Sequence, residues 1–552
     1  MTTHLHVSKQ GRDSNSGSVN APLLTVSAAA QLAQPGDCIT VHAGIYREAI
    51  DPPRGGTSEN QRITYQAAEG EAVEIRGSEI VTGWQASDGG LWQLKLKNHV
   101  FGDFNPFDDL IHGDWFNDKA RSHHTGCVYL DGLNLVEAAA LDQIDTLQWF
   151  AQVDAATTTI VAHFGTANPN EKLTEINVRQ TVFYPRATGI NYLTVRGFKL
   201  RHAATPWAPP TAEQIGLIGT HWSKGWIIED NEITHSRCVG ITLGKYGDAF
   251  DNTSANSAGG YVETIERALQ CGWNRETIGS HIIRNNTVAH CDQAGIVGSL
   301  GAIFSEITGN TIHDIHLQQD FTGAEQAGLK LHAPIDTLIA ENHIYRCNRG
   351  IWMDWMTQGT RITRNICHDN ETEQDLFLEV NHGPFVVDHN LFLSTTSLWN
   401  WSQGGAYISN LFGGTIECKA ELSRETPYHP AHSTELAGTP CITGGDDRFY
   451  NNLLVDRDSF EEAIAPTRVA RINDLEQRDT DDTPVNPVLH AGNDFLKERP
   501  AYSCIDGVFK LSRQPEFPPP GTAVAIDLES LGHTLVSKQP FSSVPGLKRY
   551  PI

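Results

Sequence analysis

The chain has 552 residues, too many for one ordinary hydrophobic core unless a repeat lets the core extend along an axis. Its 49 glycines and 3 methionines are typical of turn-rich β structure and disfavour a helix bundle. The formal charge of −25 argues against nucleic-acid and anionic-membrane partners, because both require clustered Lys and Arg. A neutral partner such as a sugar is compatible with this charge.

The N-terminal segment and the cysteines indicate the compartment. Residues 1–7 contain no basic stretch followed by an apolar one, so we expect no signal peptide, and no apolar run is long enough to span a membrane. The 10 Cys include no CxxC pair and lack the ligand spacing of a zinc site. Cys291 and Cys347 stand beside apolar positions, and we expect buried free thiols. These features predict a reduced, cytoplasmic protein.

The first part of the chain predicts a capped end and an insertion. Thr25, followed by an Ala-rich stretch and then Pro35, predicts a short capped helix that closes one end of a solenoid. The loop at 13–17 resembles a calcium loop, but no Glu stands at its twelfth position, so an Asx-rich turn is the better interpretation. From 79 to 185, short alternating strands with turn signals predict an inserted β-sandwich-like domain.

Further along the chain, a second insertion and the C-terminal region interrupt the pattern. Residues 245–275 begin polar and Gly-rich and continue with helical periodicity over 262–269, which predicts a helix in the wall of a groove. After about residue 456 the repeat is lost, and we expect a C-terminal extension that includes Pro518–Pro520. The predicted parts are therefore an N-terminal cap with first coils, an inserted domain, a main β-helix and C-terminal coils with an extension: 1–78, 79–185, 186–455 and 456–552.

A recurring phrase, Asn-x-apolar, marks the main repeat. Several intervals are close to the low twenties, as expected for one coil of a parallel β-helix. An Asn side chain can bond backbone groups at a tight turn and tolerates a left-handed conformation, so stacked copies would form a structural ladder. The Asn residues of the phrase are Asn231, Asn286, Asn310, Asn342, Asn365, Asn390, Asn410 and Asn452.

Two carboxylates occupy matching positions on successive coils. Asp354 and Glu379 are each the fifth residue of a short alternating strand, and both point away from the core, as do Lys330 and His332 on the preceding coil. Adjacent rungs would separate the two carboxylates by roughly 4.7–4.9 Å. A separation of about 5–5.5 Å suits a retaining glycosidase, in which one carboxyl group has a raised pKa. The residues leave open which of the two is the nucleophile.

Longer strings of residues carry a family resemblance. The opening segment, 6–18, resembles the start of many right-handed parallel β-helix proteins. Other segments resemble glycoside hydrolase family 120, the β-helix β-xylosidases: 113–116, 124–126, 263–269, 350–361 and 376–384. The resemblance implies an all-β fold, a right-handed parallel β-helix with an inserted β-sandwich-like domain. It also implies a retaining exo-acting xylan 1,4-β-xylosidase that releases xylose from the non-reducing end of short xylo-oligosaccharides. Asp354 would be the nucleophile and Glu379 the acid/base.

Other side chains are candidates for binding the sugar. Lys330 and His332 could hydrogen-bond glycone hydroxyls, although a surface His–Asp pair is the alternative. The resemblance suggests Glu325 as a further acid, and this residue could instead pair with Arg349 or Lys330. Apolar ring faces suit the C–H face of a pyranose, and at least one of the candidate rings is expected in the core. These rings are Trp352, Trp355, Trp399, Trp401 and, if the inserted domain folds over the groove, Trp115.

Three rival functions remain open, of which an inverting hydrolase would require the two carboxylates about 6.5–9.5 Å apart, wider than adjacent rungs give. A polysaccharide lyase of the same fold would use a basic residue, for which Lys330 and Arg361 are candidates, but the acidic charge of the chain ill suits an anionic polymer. A non-catalytic carbohydrate-binding β-helix is the third rival, because a fold does not determine a function. We expect no cofactor and no essential metal, a small oligosaccharide as partner, and leave a homo-oligomer open.

Overall fold

The computed structural model describes residues 3–465, 488–497, 499–505, 508–511 and 534–536. Within these ranges the fold is almost entirely β, with α-helices α1 (Val26–Leu32), α2 (Ala258–Gln270) and α3 (Arg457–Ile464). The chain forms two compact units. The first contains the described residues up to Ala255 together with Thr287–Val297 and Gln318–Gln326, and the second contains the remainder.

Strands are numbered in chain order, and those before α2 are β1 (His4–Val7), β2 (Cys38–Val41), β3 (Gly44–Arg47), β4 (Ile63–Ala67), β5 (Val73–Arg76), β6 (Ser78–Ile80), β7 (Gln85–Ala86), β8 (Trp92–Lys97), β9 (Phe116–Asn117), β10 (Val128–Leu130), β11 (Leu133–Asn134), β12 (Val136–Glu137), β13 (Gln148–Val153), β14 (Thr157–Ala162), β15 (Thr174–Asn177), β16 (Leu193–Arg196), β17 (Lys199–Ala203), β18 (Ile218–Gly219), β19 (Ile227–Glu229), β20 (Glu232–Ser236) and β21 (Val239–Thr242).

Those after α2 are β22 (Ile282–Arg284), β23 (Thr287–Cys291), β24 (Ala294–Ser299), β25 (Glu306–Thr308), β26 (Thr311–Ile315), β27 (Thr322–Gly323), β28 (Leu329–His332), β29 (Leu338–Ala340), β30 (His343–Cys347), β31 (Ile351–Asp354), β32 (Arg361–Thr363), β33 (Ile366–His368), β34 (Leu376–Glu379), β35 (Phe385–Asp388), β36 (Leu391–Phe392), β37 (Thr396–Trp401), β38 (Gly405–Ile408), β39 (Leu411–Phe412), β40 (Thr415–Cys418), β41 (Glu421–Glu425), β42 (Cys441–Ile442), β43 (Arg448–Tyr450), β44 (Leu453–Val455), β45 (Leu489–Ala491), β46 (Asp494–Leu496), β47 (Tyr502–Ile505), β48 (Val508–Leu511) and β49 (Thr534–Val536).

The first unit contains three parallel sheets and an inserted pair of sheets. The parallel sheets have the orders β1-β2-β4-β16-β19, β3-β5-β17-β20-β23 and β18-β21-β24. The inserted sheets have the orders β11-β10-β15-β6 and β12-β13-β14-β8-β7. Large buried rings, among them Trp84, Phe107 and Trp149, form a separate hydrophobic core in the insertion. This arrangement confirms the predicted β-helix with an inserted β-sandwich-like domain.

The second unit repeats the three-sheet cross-section. Its parallel sheets have the orders β22-β25-β29-β32-β35-β38-β43-β45, β26-β30-β33-β36-β39-β44-β46 and β28-β31-β34-β37-β40. In the third of these, Leu329, Ile351, Leu376 and Leu398 lie in register and are fully buried. The alternation of the strands therefore turns one set of side chains inward and the intervening set outward, as the sequence predicts.

An asparagine ladder runs through the second unit and confirms the structural role of the Asn-x-apolar phrase. From Asn286 to Asn452, each side-chain amide donates to the Oδ1 atom of the ladder asparagine on the next coil, at 2.9–3.1 Å. The expected left-handed conformation occurs one residue earlier, for example at Glu341 and Arg364. The ladder asparagine itself is thus free to donate along the axis of the coil.

The repeat continues after residue 456, where the Asn-x-apolar phrase was expected to be lost but further coils were predicted. Strands β45 and β46 form a further rung, and Asn493 between them continues the asparagine ladder. Asn493-Asp494-Phe495 matches the Asn-x-apolar phrase, but 41 residues separate Asn493 from Asn452, so the period is hidden. Pro518–Pro520 lies outside the described residues.

The two predicted helices are present. Helix α1 begins after Thr25, whose hydroxyl accepts a hydrogen bond from the Ala28 amide at 3.1 Å. The Asp13 carboxylate accepts from the amides of Leu24 and Thr25, 11 and 12 residues later, so it ties the loop to the start of α1, and the Asx-turn interpretation stays a prediction. Helix α2 begins at Ala258, earlier than the predicted 262, because Ser257 caps it.

The predicted thiols Cys291 and Cys347 are buried. No helix in the described part of the chain is long and apolar enough to cross a membrane.

Candidate active site

The site is built on the outward face of the sheet β28-β31-β34-β37 in the second unit. His332, Asp354, Glu379 and Trp401 lie in register on four successive strands. Lys330, Trp352, Phe377 and Trp399 form a parallel row two residues earlier on the same strands. The predicted stacking of the two carboxylates is therefore present in the fold.

This outward face is covered, unlike an open surface groove. Asp354 is 6% exposed and Glu379 is 9% exposed, and Lys330 and His332 are also buried. Part of the cover comes from α2, whose Tyr261 ring lies edge-on to His332 at 4.8 Å and to Trp355 at 5.0 Å. Helix α2 is thus a wall of the site, as its periodicity predicts.

Asp354 lies among positive charges. Its Oδ2 atom is 2.8 Å from Lys330 Nζ and 3.4 Å from His332 Nε2. Its other oxygen, Oδ1, is buried and accepts no hydrogen bond from any side chain or amide in the described part of the chain. Burial raises the pKa of Asp354, but the charges of Lys330, His332 and Arg424 outweigh burial and hold this pKa below its ordinary value. The surroundings of Asp354 therefore favour its ionised form and leave Oδ1 available.

Glu379 has the opposite electrostatic balance. Trp352 donates a hydrogen bond from Nε1 to Glu379 Oε2 at 3.1 Å, and Arg424 Nη2 contacts Oε1. Burial and the neighbouring negative charge of Asp354 raise the pKa of Glu379, and the opposing effects of Arg424 and Lys330 do not cancel this rise. Since Arg424 alone would favour the carboxylate, the direction of the shift is set by burial and Asp354. Glu379 is therefore the carboxyl group that retains a proton more readily.

The tryptophans take different positions around this pair. The Trp352 ring is buried, and its centre lies 3.4 Å from Lys330 Nζ and 4.3 Å from the Arg349 guanidinium. Trp355 is also buried and contacts Tyr261, so it belongs to the site wall. Trp399 and Trp401 are half-buried and stack on each other with ring centres 5.7 Å apart. Their predicted use as sugar platforms stays a prediction.

Three other sequence candidates belong to the first unit or to a different sheet of the second unit. Trp115 is half-buried and Glu325 fully buried, and both belong to the first unit. Arg361, proposed for a lyase, lies on a different sheet, where it bonds Asp388 at 2.7–2.8 Å. Lys330, the second lyase candidate, forms an ion pair with Asp354. Neither basic residue is arranged as a separate base.

Sequence reasoning missed Tyr261 and Arg424. The helical periodicity of 262–269 predicts a helix, but the position of Tyr261 against His332 depends on how that helix packs. Arg424 lies on β41, between ladder residues Asn410 and Asn452, where the repeat gives no register. Its sequence context carries no signal that would have identified it.

Comparison with known proteins identifies the family of the chain. Residues 81–148 match the family model "Glycoside hydrolase 120, insertion domain", and residues 215–412 match "Right handed beta helix region". The solved structure of XylC in complex with xylose is 40% identical, covers 92% of this chain and 89% of XylC, and superposes with a TM-score of 0.83. The chain therefore belongs to glycoside hydrolase family 120 and is a glycoside hydrolase.

Two more distant similarities add less. A solved structure described as a glycoside hydrolase is 10% identical, covers 75% of this chain and 94% of its own, and has a TM-score of 0.50, which indicates a shared fold. The uncharacterized protein YwoF of Bacillus subtilis (strain 168) is 32% identical over 77 residues. That match spans 14% of this chain and 16% of YwoF.

Proposed function

We propose that the protein is a retaining, exo-acting β-xylosidase (xylan 1,4-β-xylosidase) that cleaves xylose from the non-reducing end of short xylo-oligosaccharides. One observation carries the proposal: two carboxyl groups on adjacent rungs of one buried column have pKa values shifted in opposite directions, Asp354 downward and Glu379 upward. Retaining hydrolysis requires an ionised nucleophile and a protonated acid at about this spacing. The similarity to XylC, solved with xylose, supports xylose as the glycone.

In the first step, an Asp354 oxygen attacks the anomeric carbon of the xylosyl unit. The bond from that carbon to the glycosidic oxygen breaks, and its electron pair passes to the oxygen, which takes the proton from Glu379. The aglycone leaves as an alcohol, and xylose is held as an ester of Asp354. Oδ1 of Asp354 is suited to the attack, because Oδ2 already contacts Lys330 and His332.

In the second step, the Glu379 carboxylate accepts a proton from water while the water oxygen attacks the anomeric carbon. The ester bond to Asp354 breaks, and the Asp354 carboxylate and β-xylose are released. Because each step inverts the anomeric centre, the two together retain its configuration.

We also propose a cytoplasmic location, which suits the hydrolysis of imported short oligosaccharides. The release of secreted native protein into the medium would contradict this location.

The test is release of p-nitrophenol from a panel of p-nitrophenyl glycosides. We expect strong turnover of the β-xyloside, abolished in Asp354→Ala, and reduced turnover in Glu379→Ala that azide partly rescues by acting as an external nucleophile on the ester. Glu341→Gln, which alters a carboxylate paired with Arg364 on the same unit, is the matched control and should retain activity. A folded wild-type protein that cleaves no glycoside would overturn the proposal. Formation of an unsaturated product that chelators abolish would favour the lyase.

A further inference from the structure

A cation from outside the repeat reaches the candidate acid/base. Arg424 lies on β41, which pairs antiparallel with β42 and stands apart from the three parallel sheets of the second unit. Its Nη2 atom bonds Glu379 Oε1, and its guanidinium carbon lies 5.9 Å from the centre of the Trp355 ring. The Arg424 side chain is 27% exposed, while that of Glu379 is 12% exposed. The hairpin β41–β42 thus delivers a permanent positive charge to a buried carboxyl group.

The other charges that face Glu379 come from the solenoid itself. Asp354 on β31 is the negative neighbour. Lys330 on β28 also acts on Glu379, although its hydrogen bond goes to Asp354. Arg349, which precedes β31, lies over Trp352 and interacts with both carboxyl groups. Arg424 differs from Lys330 and Arg349 in its origin, because the fold of the hairpin, and not the repeat, determines where it stands.

We propose that Arg424 is a positioning residue that holds the Glu379 carboxyl group toward the reacting centre and favours its deprotonated form in the second step. The proposal rests on the proposed function and deepens it. Trp352 and Arg424 contact different oxygens of Glu379, so together they determine the orientation of the carboxyl plane. Neither contact involves Asp354, so esterification of Asp354 removes neither partner of Glu379.

The balance of charge explains why such a residue is useful. In the free enzyme the charge of Asp354 raises the pKa of Glu379 and favours the acid that the first step requires. Esterification of Asp354 removes that charge, whereas Arg424 remains positive, so the pKa of Glu379 falls just when the residue must accept a proton. An acid that becomes a base between two steps needs this kind of change.

The test compares Arg424→Met with Arg424→Lys on β-xylosides with good and poor leaving groups. Loss of the charge raises the pKa of Glu379 and, less strongly, that of Asp354, so both limbs of the bell-shaped kcat/KM profile move to higher pH, the basic limb further. We expect kcat of Arg424→Met to fall roughly 10- to 100-fold, which is the effect of a misplaced catalytic group. The fall should be largest on dinitrophenyl xylosides, because the second step limits their turnover. Arg424→Lys keeps the charge, so its limbs stay in place while kcat falls less.

The matched control is Arg364→Met, which breaks another arginine–carboxylate pair of the same unit, with Arg364 31% exposed. It should leave both limbs and kcat unchanged. If Arg424→Met lowers stability and kcat but leaves the limbs in place, Arg424 is merely structural and the inference is wrong. If Arg424→Met does not fold, Arg424→Gln carries the same expectation.

A second measurement separates failure of this inference from failure of the proposed function. Infrared titration follows the C=O band of the protonated Glu379 carboxyl group, assigned by its loss in Glu379→Gln. The midpoint should rise in Arg424→Met and stay near the wild-type value in Arg364→Met, whether or not the protein hydrolyses xylosides. An unchanged midpoint in Arg424→Met would overturn the inference even in an active enzyme.

Discussion

Replacing one rung of the asparagine ladder should destabilise the solenoid by an amount that the hydrogen bonds of that rung determine. Asn365 is fully buried. Its side-chain Nδ2 atom donates to Asn390 Oδ1 at 2.9 Å and to the Ile339 carbonyl at 3.0 Å. Its Oδ1 atom accepts from the backbone amide of Asn342 at 3.0 Å and from Asn342 Nδ2 at 2.9 Å. Asn365→Ala leaves at least two buried backbone groups without these partners. At about 1–3 kcal/mol each, the expected loss is about 2–6 kcal/mol.

Urea unfolding followed by tryptophan fluorescence measures this loss. Asn365→Asp should be at least as destabilising at neutral pH, because a carboxylate cannot donate to the acceptors that the amide serves. Asn15→Ala is the control, since the half-buried Asn15 makes one such bond, to the Pro22 carbonyl, and should cost about 1 kcal/mol. A loss below about 1 kcal/mol for Asn365→Ala would refute the reasoning that the ladder stabilises the coils.

Four further predictions concern the two carboxyl groups. Lys330→Met removes a cation 2.8 Å from Asp354 and should raise the pKa of Asp354, so the acidic limb of kcat/KM moves to higher pH in a pH–rate profile. Trp352→Phe keeps a buried ring but removes the donor to Glu379, so kcat should fall about tenfold with a smaller change in Tm, and equal kcat values would count against that role. Because the pKa of Glu379 is raised in the folded protein, its ionisation lowers stability as pH rises through that pKa. Glu379→Gln should therefore raise Tm at alkaline pH, but not at a pH below the pKa values of Glu379 in both the folded and the unfolded protein. Asp354→Asn should instead lower Tm at neutral pH, and the Tm difference from the wild type should shrink as pH falls through the depressed pKa of Asp354. Parallel curves of Tm against pH for the two variants would contradict both expectations.

The parts of the fold that the sequence predicts are those tied to its period. Once Asn342 and Asn365 mark successive turns, the side-chain alternation of each strand places Asp354 and Glu379 on adjacent rungs. The structure confirms this register, because Asp354 on β31 pairs with Glu379 on β34. Inward and outward faces follow in the same way, because a shift of one residue would bury the polar set. The asparagine phrase was therefore sufficient to bring two distant residues together.

The rest of the site depends on packing that no period describes. Arg424 reaches Glu379 from a hairpin inside a long gap between ladder residues, and Tyr261 reaches His332 because of how α2 packs. The same limit hid the rung at Asn493. The division of roles between Asp354 and Glu379 was also open from the residues alone, because it depends on which cations approach each carboxyl group.

The proposed mechanism requires Asp354 to form a covalent bond to the sugar, and trapping that bond tests this step most directly. In a 2-deoxy-2-fluoro-β-xyloside the fluorine slows both steps, and a dinitrophenyl leaving group restores the rate of the first step only, so the ester should accumulate. Mass spectrometry of the intact protein should show the addition of one fluoroxylosyl group, and peptide mapping should locate it on Asp354, with no addition in Asp354→Ala. Labelling of Glu379, or turnover of xylosides with inversion of the anomeric centre and no labelling, would contradict the account.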